Sequence, residues 1–356
     1  MKRTLVTDIE ADRLGFRAVE IAQERGDALE AEGDHAGALL WREKAEAFAE
    51  YFTAMETEKR KKANVNLNEI ELHAGISDLY LNEPLDICPG LSIKPTYAHV
   101  MSPIVMAFSR PSAPGAGHPG PWQSASGGAA IDLYVQVTLK PSSSLGGFDR
   151  LNTLWFLAAL MRLSISSTIR VPMISDKPFA DVASDNLGLF LWPVEFRRSS
   201  LAALRFQASE TATGLAWTSC HIEVGAAMMT QKGFALAFQT YDEAAFAENP
   251  ATAMILLWSA LEALFRPGSR DITKRLSRMI ATYLTNDPRK RDRLYQQVKE
   301  LYETRGQMVH AARPPRMESV DLTAGIARRA FMNAFEEGKT PDPERLNEAW
   351  SERINY

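Results

Sequence analysis

Residues 249–265 read Asn249-Pro250-Ala251-Thr252-Ala253-Met254-Ile255-Leu256-Leu257-Trp258-Ser259-Ala260-Leu261-Glu262-Ala263-Leu264-Phe265, and Pro267-Gly268 follows. Met254, Leu257, Trp258, Leu261 and Leu264-Phe265 recur at the spacing of a single helix face. Asn249 is a residue type that caps helix starts, and proline at the next position gives up only a donor that would be orphaned there anyway. The stretch therefore predicts a helix with both ends written locally.

Working outward, a second helix is expected from near Ser269, carrying Ile272, Leu276, Met279, Ile280 and Tyr283. Asp287-Pro288 repeats the start signal for a third, through Leu294, Val298, Leu301 and Tyr302 to His310, where Pro314-Pro315 stops it. A fourth runs from about Glu318 to Glu336, with Leu322, Ile326, Ala330 and Phe331 on one face. Four helices joined by short loops predict an antiparallel bundle over 241–338, followed by a C-terminal tail at 339–356.

Upstream, apolar residues at helical spacing from 4 to about 62, broken by Gly33-Asp34, predict a helical hairpin occupying 1–64. Lys59-Arg60-Lys61-Lys62 closes its second helix, where cations suit the dipole. Residues 65–240 change character. Ile131 to Leu139 alternates apolar and polar positions and predicts a strand. Arg110 to Gly128, rich in Pro, Gly and Ser, predicts an exposed loop. Residues 147–164 predict a buried helix, and strands are expected near 188–198 and 232–241. His221 and Glu223 are expected on a strand too, sharing a face without a third metal ligand. The fold class is thus multidomain α+β: a helical hairpin, a mixed α/β middle region of sensing or partner-binding role, and a C-terminal all-α bundle.

Composition narrows the function classes. With 46% apolar and 24% charged residues in 356, the chain is ordinary globular protein. A net charge of -4 neither demands nor excludes nucleic acid, since local patches outweigh the total. Cys88 and Cys220 suggest reduced thiols, and the histidines show no metal-ligand spacing, so no metal or cofactor is expected. No stretch reads as a leader or a membrane span, and a cytoplasmic location is expected.

The order Leu257-Trp258-Ser259-Ala260-Leu261-Glu262, then a helix, then Leu301-Tyr302-Glu303-Thr304-Arg305-Gly306-Gln307-Met308-Val309-His310 resembles the Apea-like branch of the HEPN superfamily. That branch often reads Leu-Trp-x-x-Leu-Glu followed by Leu-Tyr-x-x-Arg-Ser-x-x-Val-His-Gly. The resemblance spans only the C-terminal third. Gly306 stands where such motifs often carry Asn, Asp, His or Ser, and Ala311 stands where glycine is common.

The resemblance implies a HEPN-like four-helix bundle and metal-independent cleavage of RNA, of a kind used in antiviral defence or as a toxin. The residue types suit that chemistry. RNA brings its own nucleophile, the ribose 2′-OH, and histidine titrates near neutral pH, as a general acid/base must. Arginine keeps its charge and grips phosphoryl oxygens with a planar fork. The implied catalytic pair is His310 as acid/base and Arg305 as phosphate clamp, with Glu262, Gln307 and Tyr302 supporting. Five residues apart on a straight helix leaves the pair about 140° apart around the axis. Either Gly306 loosens the helix, or a second chain completes the site. The resemblance implies a homodimer.

Structural readings stand beside these. Arg305 could be a snorkelling arginine at the core edge, and His310 could simply complement the helix C-terminus. Glu262 could pair with Arg275 or Arg305, while Trp258 and Tyr302 suit core packing. Arg289, Lys290, Arg291 and Arg293, with Arg328-Arg329 on the next helix, could track an RNA backbone or form solvated helix faces. The alternative function is a non-catalytic module that dimerises through the bundle and binds a ligand or partner.

Overall fold

The computed structural model describes residues 22–63, 68–101, 105–108, 122–125, 130–181, 191–195, 208–311 and 313–351. The chain divides into two compact units, Met1–Glu69 and Ile70–Tyr356. In the first, helix α1 covers 22–31 and helix α2 covers His35–Ala63. Gly33 makes the turn between them at a φ of 83°, a conformation that costs a Cβ-bearing residue dearly. The Asp34 carboxylate accepts the Gly37 amide at 3.0 Å, and Arg42 reaches back to Asp27 and Glu30. The expected helical run over 4–21 lies outside the described residues.

The second unit begins with a six-stranded antiparallel sheet in the order β2-β3-β6-β1-β7-β8. Its strands are β1 (Leu72–Ser77), β2 (Leu85–Cys88), β3 (Leu91–Met101), β6 (Ala130–Leu139), β7 (Arg170–Ser175) and β8 (Leu191–Pro193). A separate two-stranded ribbon pairs β4 (Val105–Phe108) with β5 (Trp122–Ala125). This ribbon corrects part of the expected loop at 110–128, for β5 lies within it; the rest of that segment is outside the described residues. The alternation read in 131–139 takes physical form in β6. Leu133, Val135, Val137 and Leu139 are buried, in register with Ile76, Ala74 and Leu72 of β1 and Ile93 and Leu91 of β3.

Helix α3 (Arg150–Ser164) lies between β6 and β7, capped by Asp149, whose carboxylate accepts the Asn152 amide at 2.7 Å. At its first residue, Arg150 donates to the carbonyls of Ile70, Leu139 and Lys140, fastening the helix start to the ends of β1 and β6. At its last turn, the guanidinium of Arg328 donates to the carbonyls of Leu163 and Ser164 at 2.6 and 2.7 Å.

Among the described residues, every element after β8 is a helix: α4 (Ala208–Met228), α5 (Lys232–Ala244), α6 (Pro250–Phe265), α7 (Ile272–Leu284), α8 (Pro288–Ala311), α9 (Met317–Glu337) and α10 (Pro343–Ser351). The C-terminal region is helical, as expected. Asn249 does cap α6, its side chain accepting the Thr252 amide at 2.9 Å with Pro250 at the first position. Asp287 does the same for α8 through the amides of Arg289 and Lys290. Two expectations fail. Residues 232–241 form α5 rather than a strand, and His221 and Glu223 sit on α4, where residues two apart face different ways. Within the segment read as a tail, α10 packs against α7, with Trp350 beside the Arg278 guanidinium and the Tyr295 ring.

The middle and C-terminal regions share one core. Phe156 of α3 meets Phe238 of α5 and Phe335 of α9, ring centroids 6.1 and 6.4 Å apart. A Cβ on Gly225 of α4 would lie 2.9 Å from both the Phe156 and Phe335 rings, so the glycine allows α4 its close approach. Beside the rings, the buried Arg162 guanidinium grips Asp242 of α5 through two hydrogen bonds, of 2.7 and 2.8 Å. Asp242→Ala should cost about 3–5 kcal/mol, because it removes the two shortest of the acceptor bonds that hold a desolvated cation. Replacing both partners with apolar residues should cost much less. Urea denaturation of the single and double variants measures the difference.

Candidate functional site

The sequence motifs converge on the seam between α6 and α8. Trp258 is fully buried, and its ring meets Tyr302 edge-on with centroids 4.9 Å apart. The Tyr302 hydroxyl then donates to Glu262 at 2.8 Å. Glu262 therefore holds the tyrosine; among the described residues it pairs with neither Arg275 nor Arg305. Burial, then the hydrogen bond to the Glu262 carboxylate, then that carboxylate's charge push the Tyr302 phenol up to about 12, while Arg305 pulls the other way.

Arg305 lies one turn beyond Tyr302, half-buried, with its guanidinium carbon 5.6 Å from the centre of the Tyr302 ring. That distance suits a cation–π contact. Its Nε is buried without a hydrogen-bond partner, and among the described residues Arg305 makes no ion pair. A cation is thus held by an aromatic face, with one buried donor, Nε, left unpaired. Burying that donor unpaired costs free energy.

His310 lies in the last turn of α8; its side chain is outside the described residues. The helix runs unbroken through Gly306, so that residue does not loosen it. Backbone positions 305 and 310 therefore diverge by about 140° around one axis. Leu294, Val298, Leu301 and Met308 form the buried stripe of α8, with Arg305 along its margin. Gln307 is exposed, a further two positions round from Arg305, and is not brought beside it.

Gly306 is an unexplained expense. Inside a helix it costs about 1 kcal/mol relative to alanine. Yet among the described residues a Cβ there would meet nothing within 4 Å, so their packing does not require the glycine.

The basic residues separate into spent and open ones. Arg291 donates to the carbonyls of Thr285 and Asn286, just past the end of α7, and Arg328 is occupied on α3. Arg289, Lys290 and Arg293 are exposed at the start of α8, with Lys290 4.0 Å from Asp287. They stand about 18–24 Å along the helix from Arg305, at 1.5 Å per residue. His221 bonds the Trp217 carbonyl at 2.7 Å, a structural use. Among the described residues, no three His, Cys, Asp or Glu side chains gather closely enough to hold a metal ion, and no helix is long and apolar enough to cross a membrane.

Comparison with protein-family models, with curated proteins and with solved structures finds no match.

The raised Tyr302 phenol has a pH consequence. Its stabilising effect is intact below about pH 10, where the unfolded chain keeps its phenols neutral, and is lost as pH rises towards 12. Tyr302→Phe should flatten the stability profile across that window, as thermal melts at stepped pH would show.

Proposed function

We propose that this chain is a metal-independent endoribonuclease of HEPN type, working as a homodimer through its C-terminal helical bundle. In this reading the upstream regions sense a trigger, as in a cytoplasmic defence or toxin system. The observation that carries it is Arg305: a cation held against the ring of Tyr302, which Glu262 in turn fixes, five residues before a histidine on the same unbroken helix.

In the reaction, the ribose 2′-oxygen attacks the adjacent phosphorus as His310 takes its proton. The bond from phosphorus to the 5′-oxygen breaks, and that oxygen receives a proton. The products are a 2′,3′-cyclic phosphate and a free 5′-hydroxyl. Arg305 meets the equatorial oxygens as negative charge accumulates, where a fixed donor fork acts most strongly. The divergence of positions 305 and 310 supports a composite site, with arginine from one chain and histidine from the other. The open space over Gly306 supports the same reading, because glycine permits a second backbone or an RNA strand to come close.

Purified protein should cleave single-stranded RNA in EDTA. His310→Ala should lower the rate about 10²–10⁴-fold. Arg305→Ala should lower it about 10²–10³-fold, the scale for losing a donor to the developing charge. Mixing the two inactive variants separates the geometries. If the pair spans two chains, each mixed dimer regains one complete site and activity returns; if the pair lies within one chain, none does. Wild type as inert as both variants under every trigger tried would discard the nuclease and leave the dimerising, partner-binding module.

Gly306→Ala offers a second check. It should stabilise the helix by up to about 1 kcal/mol while weakening dimerisation or cleavage. Stabilisation with no loss of either would remove the close-approach role.

A further inference from the structure

The sheet has a second face, turned away from the apolar one. By register it carries Lys94 and His99 of β3, Asp132, Tyr134, Gln136 and Thr138 of β6, and His73 and Gly75 of β1. One half is closed by the short helical turn Phe179–Asp181, where the Phe179 amide donates to buried Gln136 at 2.7 Å. The other half is open. Tyr80, just beyond β1, is 66% exposed, and Tyr97, at the irregularity in β3, is 62% exposed.

These rings form one surface. Tyr80 and Tyr134 have centroids 4.5 Å apart, and Tyr97 lies 6.0 Å from Tyr134. Asp132 fixes them from the edge. Its carboxylate accepts the His99 ring nitrogen at 2.8 Å and the hydroxyls of Tyr97 and Tyr134, each at 3.4 Å. The Tyr97 and Tyr134 hydroxyls are pinned, Tyr80 lies over Tyr134, and the outer faces of Tyr80 and Tyr97 stay in solvent. Lys94 shares this face, partly exposed and, among the described residues, without an ion pair. Arg170 is occupied by Asp78 at 3.0 Å.

The geometry selects among ligands. A cage for an alkylammonium ion needs a gap between ring faces and an open carboxylate. Here two rings already touch, and Asp132 is taken by three donors. Braced rings with open outer faces and polar edges suit flat, conjugated ligands that stack, and a single-stranded nucleic acid supplies several such faces along one chain.

We propose that Tyr80, Tyr97 and Tyr134, braced by Asp132 and His99, bind single-stranded nucleic acid by stacking its bases, with Lys94 meeting the phosphate backbone. The site is separate from α8 and does not rest on the nuclease reading.

The probes are a fluorescein-labelled single-stranded DNA of about ten nucleotides and the 2′-O-methyl RNA of the same sequence. Neither has a free 2′-hydroxyl, so neither can be cleaved by the reaction above, and together they show whether the site prefers either sugar. Anisotropy titration of the full chain should show binding of at least one. Tyr80→Ala and Tyr97→Ala should each weaken it about 5–150-fold, from a stacking contribution of about 1–3 kcal/mol per base. Tyr97→Phe should stay within about threefold of wild type, since the ring face rather than the hydroxyl carries the contact. Lys94→Gln should reduce the dependence on salt by about one phosphate contact. The two alanine variants remove exposed side chains, and circular dichroism confirms that they fold. The proposal is overturned if neither strand binds, if both alanine variants bind as wild type, if duplex binds equally well, or if Arg305→Ala abolishes binding while the tyrosine variants retain it.

Discussion

Arg162 sits under the whole second unit with its side chain 2% exposed. A guanidinium cannot shed its charge at any ordinary pH, so burying one demands acceptors in fixed places. Asp242 supplies two, Glu195 a third and the Ile169 carbonyl a fourth, while the Trp155 indole donates to Asp242 from the side. Four separated parts of the chain must therefore meet at one cation: α3, the turn before β7, the segment after β8, and α5. The Phe156, Phe238 and Phe335 rings supply apolar burial around it, but stacked rings tolerate small slides. A two-toothed hydrogen bond does not. The ion pair is what sets the registry of the sheet layer against the helical layer.

That registry reaches the seam of α6 and α8 by steps. Arg328 ties α9 to the end of α3, α6 packs on both α5 and α9, and Tyr302 joins α8 to α6 through Trp258 and Glu262. Arg305 comes at the end of this chain of contacts, one turn past the last well-packed aromatic. Its position is set by this packing rather than by any special loop.

The legible parts of the sequence were those whose signals are local. Asn249-Pro250 and Asp287-Pro288 announce helix starts within two residues, and both caps form. Asp342-Pro343 carries the same signal before α10, with Asp342 accepting the Glu344 amide at 2.9 Å, so that helix was within reach. Residues 232–241 misled for a definite reason. Phe234, Leu236 and Phe238 alternate like a strand, whereas Phe234, Ala237, Phe238 and Tyr241 follow a helix, and the intervening alanines cannot decide between the periods. The structure buries Phe234, Ala237 and Phe238, half-buries Tyr241 and leaves Leu236 61% exposed. On α4, the β-favouring run Thr218-Ser219-Cys220-His221-Ile222 was overruled by tertiary packing, with Gly214, Thr218, Ile222 and Gly225 turned to the core. At the site, the Tyr302 and Glu262 assignments were legible as types, but their mutual hydrogen bond joins residues forty apart. The sheet platform was less legible still. Tyr134 and Asp132 on the polar register of β6 were its only local trace, and Tyr80 and Tyr97 join them through long-range pairing.

Net charge makes the platform and the α8 site more than two separate curiosities. A net charge of -4 gives the chain as a whole no pull on a polyanion, so any attraction would be local, as at exposed Arg289, Lys290 and Arg293. Arg150, Arg162, Arg170, Arg291 and Arg328 are committed to internal partners. Recognition of a nucleic acid by the tyrosine platform would rest on short-range terms, chiefly stacking on neutral ring faces. Those terms discriminate strongly by strandedness, since a duplex hides its base faces, and weakly by sequence, since every base has one. A nuclease assembled this way would select its substrate by exposure of unpaired bases rather than by charge density, and its binding would weaken only gently as salt is added.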